Sequence, residues 1–414
     1  MSSHRSSTRG TFSRSSSVKT KVGSASILQG DPQENELIDL SAVNSGPALE
    51  HERKTAPLFT RAAYIALGGR TTFPARGLLG AKLDDSGIQS WQAEPPKSED
   101  SDSRLYNAPF SAVICGVQGS GKSHTAAVLL ENMLIRKHDK IGTLRKPLSG
   151  LVLHFGEGGP SSLPSEAAWV GVPNDPTTKA PEIQVFVSKS SFSTMGKVYE
   201  KLGLKGLVVR PLLFTEAELD AQAFLTMMAI WSKEMTPLYV QVILSLLREL
   251  GEEFTYQAFL DRLRAKKREL QATQLNALKQ RLDLLDAFVD KESTNRQKRY
   301  APGRLTIIDL SDPFIDATSA CSIFEILTRQ FAREDVGTGK VLLVDEAHKY
   351  LQVASTNALS GLTKELSSLI RQQRHLAMRV LISTQGMLSA LSRLNATHSQ
   401  LTSFRADCHS FRSA

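Results

Sequence analysis

Cysteine is scarce: Cys115, Cys321 and Cys408 are all that 414 residues contain, and no CxxC pair occurs among them. Three scattered thiols supply neither a disulfide framework nor a structural zinc site, so each reads as a small buried apolar residue in a chain suited to a reducing compartment. No apolar run approaches the length of a bilayer span, and the N-terminus lacks the apolar core of a secretory signal. The expectation is a soluble intracellular chain of nucleus or cytoplasm, without a membrane span. The acid-free, Arg/Ser-rich start is also compatible with mitochondrial import, although no amphipathic helix is evident in it.

Acidic residues are absent from Met1–Ser26, which carry five Lys/Arg; the other 388 residues hold 45 basic against 42 acidic groups. The formal charge of +8 therefore sits largely in the tail, and bulk charge is no argument for nucleic-acid binding by the body of the chain. Residues 1–46 are too poor in apolar side chains to offset the entropy of ordering and are expected to be disordered. Residues 47–104 read as an approach segment and linker: Ala62–Leu83 looks ordered, and Pro95–Arg104 is a polar loop or linker.

What is present in strength is one stretch, Val113-Ile114-Cys115-Gly116-Val117-Gln118-Gly119-Ser120-Gly121-Lys122-Ser123-His124-Thr125. An apolar strand precedes a glycine-rich turn, and a good helix former follows Lys-Ser, which is the required context of a phosphate-binding P-loop. Glycines at 116, 119 and 121 let the backbone bring successive N–H groups to a phosphate, and the positive end of the following helix adds to that field. The cradle is Gly116, Val117, Gln118, Gly119, Ser120, Gly121, Lys122, Ser123 and His124. Lys122 is expected to reach the β- and γ-phosphates of ATP, and the Ser123 hydroxyl to ligate Mg²⁺.

Such a loop needs a carboxylate at the end of a neighbouring strand, and Val341-Leu342-Leu343-Val344-Asp345-Glu346 supplies one. Asp345 is expected to hold the Mg²⁺ water shell and Glu346 to polarise the attacking water. Ile307-Ile308-Asp309 is a decoy, because Leu310 rather than an acid follows, and Asp309 is assigned a loop or cap role. Gln385, after Thr384, ends the next strand and suits a polar sensor beside the γ-phosphate; a plain loop glutamine fits the spacing equally. Arg371 and Arg374, one helical turn apart, are candidate arginine fingers acting in trans, or else a solvated face. His348 and His375 read as structural.

The remaining pattern alternates strands and helices, which implies an α/β fold with a mainly parallel sheet. The core divides into 105–214 and 301–387, with a helical insertion at 215–300 whose apolar stripe (Leu275, Leu278, Leu282, Leu285, Val289) reads as core.

Gly116–Ser123, Val341–His348, Arg371–Arg374 and Ile382–Gln385 together resemble the HerA/FtsK superfamily of P-loop ATPases, which includes conjugative TraG-type pumps. Pro313-Phe314, Asp345–Tyr350 and Arg371–His375 also resemble a group of fungal P-loop proteins in or near that superfamily. The resemblance runs over roughly Phe110–Gln385. It implies a RecA-like core, ATP hydrolysis and a homo-oligomeric, often hexameric, ring that translocates DNA. Members continue past the last motif with a strand that flanks the P-loop strand, whereas 388–414 shows no clear strand; a divergent or truncated C-terminus, with an open sheet edge beside the nucleotide site, is the expectation. Asp345-Glu346-Ala347-His348 also spells a DEAH-box, but no second motor domain follows, and no Arg-rich lid favours a small-molecule kinase. A nucleotide-gated interaction protein with little or no turnover is the alternative from a different class.

Overall fold

The computed structural model describes residues 58–69, 71, 76–81, 102–106, 109–138, 142–172, 177–227, 238–266, 271–290, 297–351, 361–385 and 402–405. The expected disordered tail, most of the linker, Cys408 and most of 388–414 lie outside them. Among the described residues no helix is long and apolar enough to cross a membrane.

In chain order, β1 (Leu58–Thr60), α1 (Arg61–Ala66), β2 (Arg76–Ala81) and β3 (Asp102–Tyr106) come first. The strands pair antiparallel in the order β1-β3-β2. The end of the stretch read as polar linker is thus a strand: Asp102-Ser103-Arg104 has no β-branched signal, and pairing with both neighbours fixes it instead. Then follow β4 (Ser111–Cys115), α2 (Lys122–Leu134), a short ribbon of β5 (Lys137–His138) and β6 (Gly142–Thr143), β7 (Ser149–His154), β8 (Glu182–Val187), α3 (Phe192–Glu200) and β9 (Leu207–Pro211). The β2 backbone passes close to α2, where a Cβ on Gly77 would stand 2.5 Å from the Asn132 side chain. The small sheet therefore rests on the helix that follows the P-loop.

Four helices come next: α4 (Ala221–Met227), α5 (Leu238–Leu250), α6 (Tyr256–Lys266) and α7 (Ala272–Asp286). Their block is closed at its ends by Phe214 and Asp290, with Phe214 N–H donating to Phe288 O at 2.7 Å and Asp290 N–H to Phe214 O at 2.9 Å. Buried Arg299 reinforces the closure by pairing with Glu218 and lying over the Phe214 ring. The chain resumes with β10 (Arg304–Asp309), α8 (Ala317–Arg333), β11 (Lys340–Val344), α9 (Gly361–Gln372), β12 (Met378–Thr384) and β13 (Thr402–Arg405).

Eight strands form one sheet in the order β13-β4-β12-β11-β7-β10-β8-β9, and every neighbouring pair is parallel. Both faces are covered, so β4, β11 and β12 are buried at every residue and carry apolar runs on both faces, Ala112–Cys115, Val341–Val344 and Val380–Ile382. Alternation assigns the faces. Ala112, Ile114, Val152, Ile307, Val341, Leu343 and Leu381 pack with α2 and α3, while Val113, Leu151, Leu153, Ile308, Leu342, Val344, Val380 and Ile382 pack with the helices of the insertion and with α8 and α9.

The C-terminal strand corrects the expectation of an open edge. β13 pairs with β4 from Thr402↔Ala112 to Arg405↔Cys115 and flanks the P-loop strand on its outer side. Its sequence, Thr-Ser-Phe-Arg, is too short and polar to announce a strand, and the ladder offered by β4 decides the matter. A chain ending at Leu401 should lose about 2 kcal/mol of stability, a few ladder hydrogen bonds at their net worth, and should aggregate through the bared β4 edge. Urea unfolding followed alongside light scattering checks this; an unchanged midpoint would show that β13 contributes nothing.

Candidate functional site

Strand β4 delivers the chain to Gly116 at the C-terminal edge of the sheet, where open α/β sheets bind ligands. Val117, Gln118 and Gly119 stand exposed, while Ser120 and Lys122 are buried. Gly119 (φ 78°) and Gly121 (φ 86°) take the left-handed conformation that turns successive N–H groups to one side. Gly121 is also the N-cap of α2 and has no side chain to cap it, so the helix presents an uncapped positive end. The loop is braced by Ser120 N–H to Val117 O (3.2 Å) and by Thr125, whose N–H and hydroxyl both donate to Gly121 O (2.9 and 3.0 Å). Lys122 Nζ donates to Val117 O at 3.0 Å.

The cradle fits a polyphosphate. A Cβ placed on Gly119 would meet nothing within 4 Å, so the space above the loop is open. The buried hydroxyl of Ser120 has no protein partner. Ser123 and exposed His124 open α2 beside this space. Among the described residues no group of three or more His, Cys, Asp or Glu side chains is arranged to hold a metal by itself. Mg²⁺ keeps several waters and binds through one or two protein oxygens plus phosphate; Ser123 and Asp345 are the residues that would hold it.

Asp345 reaches the cradle by register. Val344 pairs with Ile382 of β12 and Leu153 of β7, and Thr384 pairs with Cys115, so β12 separates the strands that carry the two motifs. Alternation then turns Asp345 toward the α2 face. Its Oδ1 accepts the Glu346 N–H at 3.0 Å, and its Oδ2 lies 3.0 Å from His154 Nδ1. Burial works against ionisation, but the His154 hydrogen bond and charge outweigh it and hold the carboxyl below its usual range.

Glu346 is strained, at φ 50° and ψ 38°. Its carboxylate is partly exposed and lies 3.4 Å from both His348 Nε2 and Lys349 Nζ. Just beyond, Tyr350 is buried with its hydroxyl 2.9 Å from Asp345 O and 3.2 Å from Leu153 O, which pins the turn after β11 to β7. His348, read from sequence as structural, thus faces the site: burial and the cations Lys349 and Lys122 push its pKa down, against the pull of Glu346. Gln385 is exposed and follows Thr384, the partner of Cys115, so it emerges beside Gly116.

The arginines lie elsewhere. Arg371 and Arg374 are exposed at the end of α9, and their neighbour Gln373 accepts from Ser111 Oγ at 2.5 Å, at the start of β4. That edge is about 15 Å from the P-loop of the same chain, the length of a five-residue strand. His375 is exposed beside them. Asp309 is the fully buried last residue of β10; it accepts from Tyr199 Oη at 2.7 Å and, in the turn that follows the strand, from Ser311 N–H at 3.0 Å.

His154 is the residue that sequence reading passes over. A lone histidine after an apolar strand carries no motif, and its significance lies in two strands far away in the chain. It pairs across the sheet with Asp309 and touches Asp345. Burial disfavours its charge, but Asp309 and Asp345 overcome that and raise its pKa to about 9.

Gly119→Ala is expected to cost about 1–2 kcal/mol of stability from the left-handed backbone alone, since the new methyl meets no protein atom. The methyl would enter the open space above the loop, so titration with a fluorescent ATP analogue should show at least about tenfold weaker binding, a loss of some 1.4 kcal/mol. Chemical denaturation measures the first effect; equal affinity in both proteins would remove the loop from the binding site.

No protein-family model matches the sequence, and no curated protein matches it. Among solved structures, the chain is similar to VirB4 of Thermoanaerobacter pseudethanolicus at 12% identity and a TM-score of 0.37, over 80% of this chain and 84% of that one.

Proposed function

We propose that the chain is an ATP-binding P-loop NTPase that hydrolyses ATP. The observation that supports this most is the placement of two distant motifs, Gly116–Ser123 and Asp345-Glu346, at one sheet edge with a single strand between them. Lys122 exchanges the Val117 carbonyl for phosphate oxygens, and the backbone of Gly116–Ser123 with the N-terminus of α2 holds the polyphosphate. Mg²⁺, when bound, offsets the charge that develops on the transferred phosphoryl group. Ser123 and Asp345 would hold its shell. Glu346 orients the attacking water and accepts its proton, and Gln385 senses the γ-phosphate from the tip of β12.

Assembly into a homo-oligomeric ring that translocates DNA extends this reading. The exposed Arg371 and Arg374 suit it, because at the far edge of the sheet they serve a neighbouring subunit and not their own site. A second reading, a nucleotide-gated interaction protein with little turnover, draws on Lys349 and His348, which hold Glu346.

The test is Mg²⁺-dependent ATP hydrolysis by the purified chain beside Glu346→Gln, with and without DNA. Glu346→Gln should retain ATP binding and lose about 10²–10⁴-fold in turnover, the usual worth of a general base. DNA stimulation supports the motor. Binding without turnover in either protein favours the gated partner.

A further inference from the structure

We infer that His154 is a positioning residue for Asp345: its Nδ1–H holds Oδ2 of the carboxylate so that the lone pairs left on both oxygens face the water shell of a divalent cation at the P-loop. This rests on the nucleotide-binding reading above.

The geometry carries the argument. One step beyond the Val344↔Leu153 pair, Asp345 and His154 stand side by side on the α2 face. Asp345 is an ionised acceptor, so Nδ1 at 3.0 Å must be the donor. The Glu346 N–H grips Oδ1 from the adjacent residue, the Ser383 side chain of β12 approaches the carboxylate from one flank, and the His154 bond to Oδ2, from β7, holds it from the other.

Asp309 is the cross-strand partner of His154, and Tyr199 Oη and Ser311 N–H occupy both oxygens of Asp309. The Tyr199 hydroxyl also accepts the Ser165 N–H at 3.0 Å. A row of polar groups thus runs from the loop after β7, through α3 and the end of β10, to the carboxylate at the end of β11. His154 itself does not reach substrate. β11 and β12 lie between its strand and the P-loop strand, which makes it a positioning group and excludes it as the base that meets water. Outer partners of this kind typically set metal affinity by 10- to 100-fold, as about that loss on their removal shows.

Two substitutions separate positioning from mere packing. His154→Asn places an amide N–H where Nδ1 stood; His154→Gln is polar and foldable but carries its N–H to the position of Nε2. For each, the affinity for a fluorescent ATP analogue is measured in Mg²⁺ and in EDTA, with a thermal melt to establish folding. In EDTA all three proteins should bind alike. The gain that Mg²⁺ brings should fall about tenfold or more in His154→Gln and stay within about threefold of wild type in His154→Asn, a difference under 0.7 kcal/mol. Higher Mg²⁺ should restore the binding of the Gln variant, which a packing defect would not permit. A wild-type Mg²⁺ gain in His154→Gln, or equal losses in both variants, overturns the inference and leaves the nucleotide-binding reading standing. A wild-type chain that binds no nucleotide overturns both.

Discussion

The site depends on the parallel pairing that runs β4-β12-β11-β7-β10 in one register. Side chains alternate along a strand with a period of two, so register decides which face each receives. Asp345, His154 and Asp309 share the α2 face because the three strands stop in step. A slip of β11 by one residue would turn Asp345 toward α8 and α9 and give the α2 face Val344 instead. The apolar residues on either side of each carboxylate, Leu343 and Val344 before Asp345 and Ile307 and Ile308 before Asp309, make that slip costly by exchanging two packed faces at once.

Three ionisable groups in one buried row are expensive unless each is partnered, since charges leaving water lose far more than a single contact returns. The structure meets that demand locally. Asp309 takes Tyr199 and Ser311, Asp345 takes Glu346 N–H and His154, and the imidazole separates two carboxylates that would otherwise repel. Burial also pushes the Tyr199 and Tyr350 hydroxyls well above their ordinary range, with the nearby aspartates adding to the effect, so both remain neutral donors. At the P-loop the balance is left open: Ser120 Oγ is buried without a partner, Lys122 satisfies itself on a backbone carbonyl, and Glu346 sits in a strained conformation between His348 and Lys349. An unpartnered hydroxyl beneath an open loop and a left-handed glutamate at the neighbouring strand end suit a place where a ligand is accommodated.

The motifs were legible in the sequence because each is local. Glycine spacing, Lys-Ser at a helix start and four apolar residues before Asp-Glu are statements about neighbours in the chain, and the helices of the insertion show their stripe within one or two turns each. The unread features are non-local. β13 has four unremarkable residues and becomes a strand only because β4 offers an unpaired edge. β3 is polar and depends on β1 and β2. The histidine His348 carries no signal that would separate it from a structural one until the turn after β11 brings it within 3.4 Å of Glu346.

By itself the sequence determined an α/β chain with a glycine-rich loop between strand and helix, a second acidic motif and a helical block between them, since backbone conformation and amphipathic period are set by residues a few positions apart. Only the tertiary structure decided which strands are neighbours. That choice seats β12 between the motif strands, closes the outer edge with β13, sends Arg371 and Arg374 to the far side of the sheet, and sets His154 against Asp345. The physical reason is that a parallel ladder joins strands through long crossovers, so residues 191 positions apart, like His154 and Asp345, meet through the register of a sheet that no local pattern encodes.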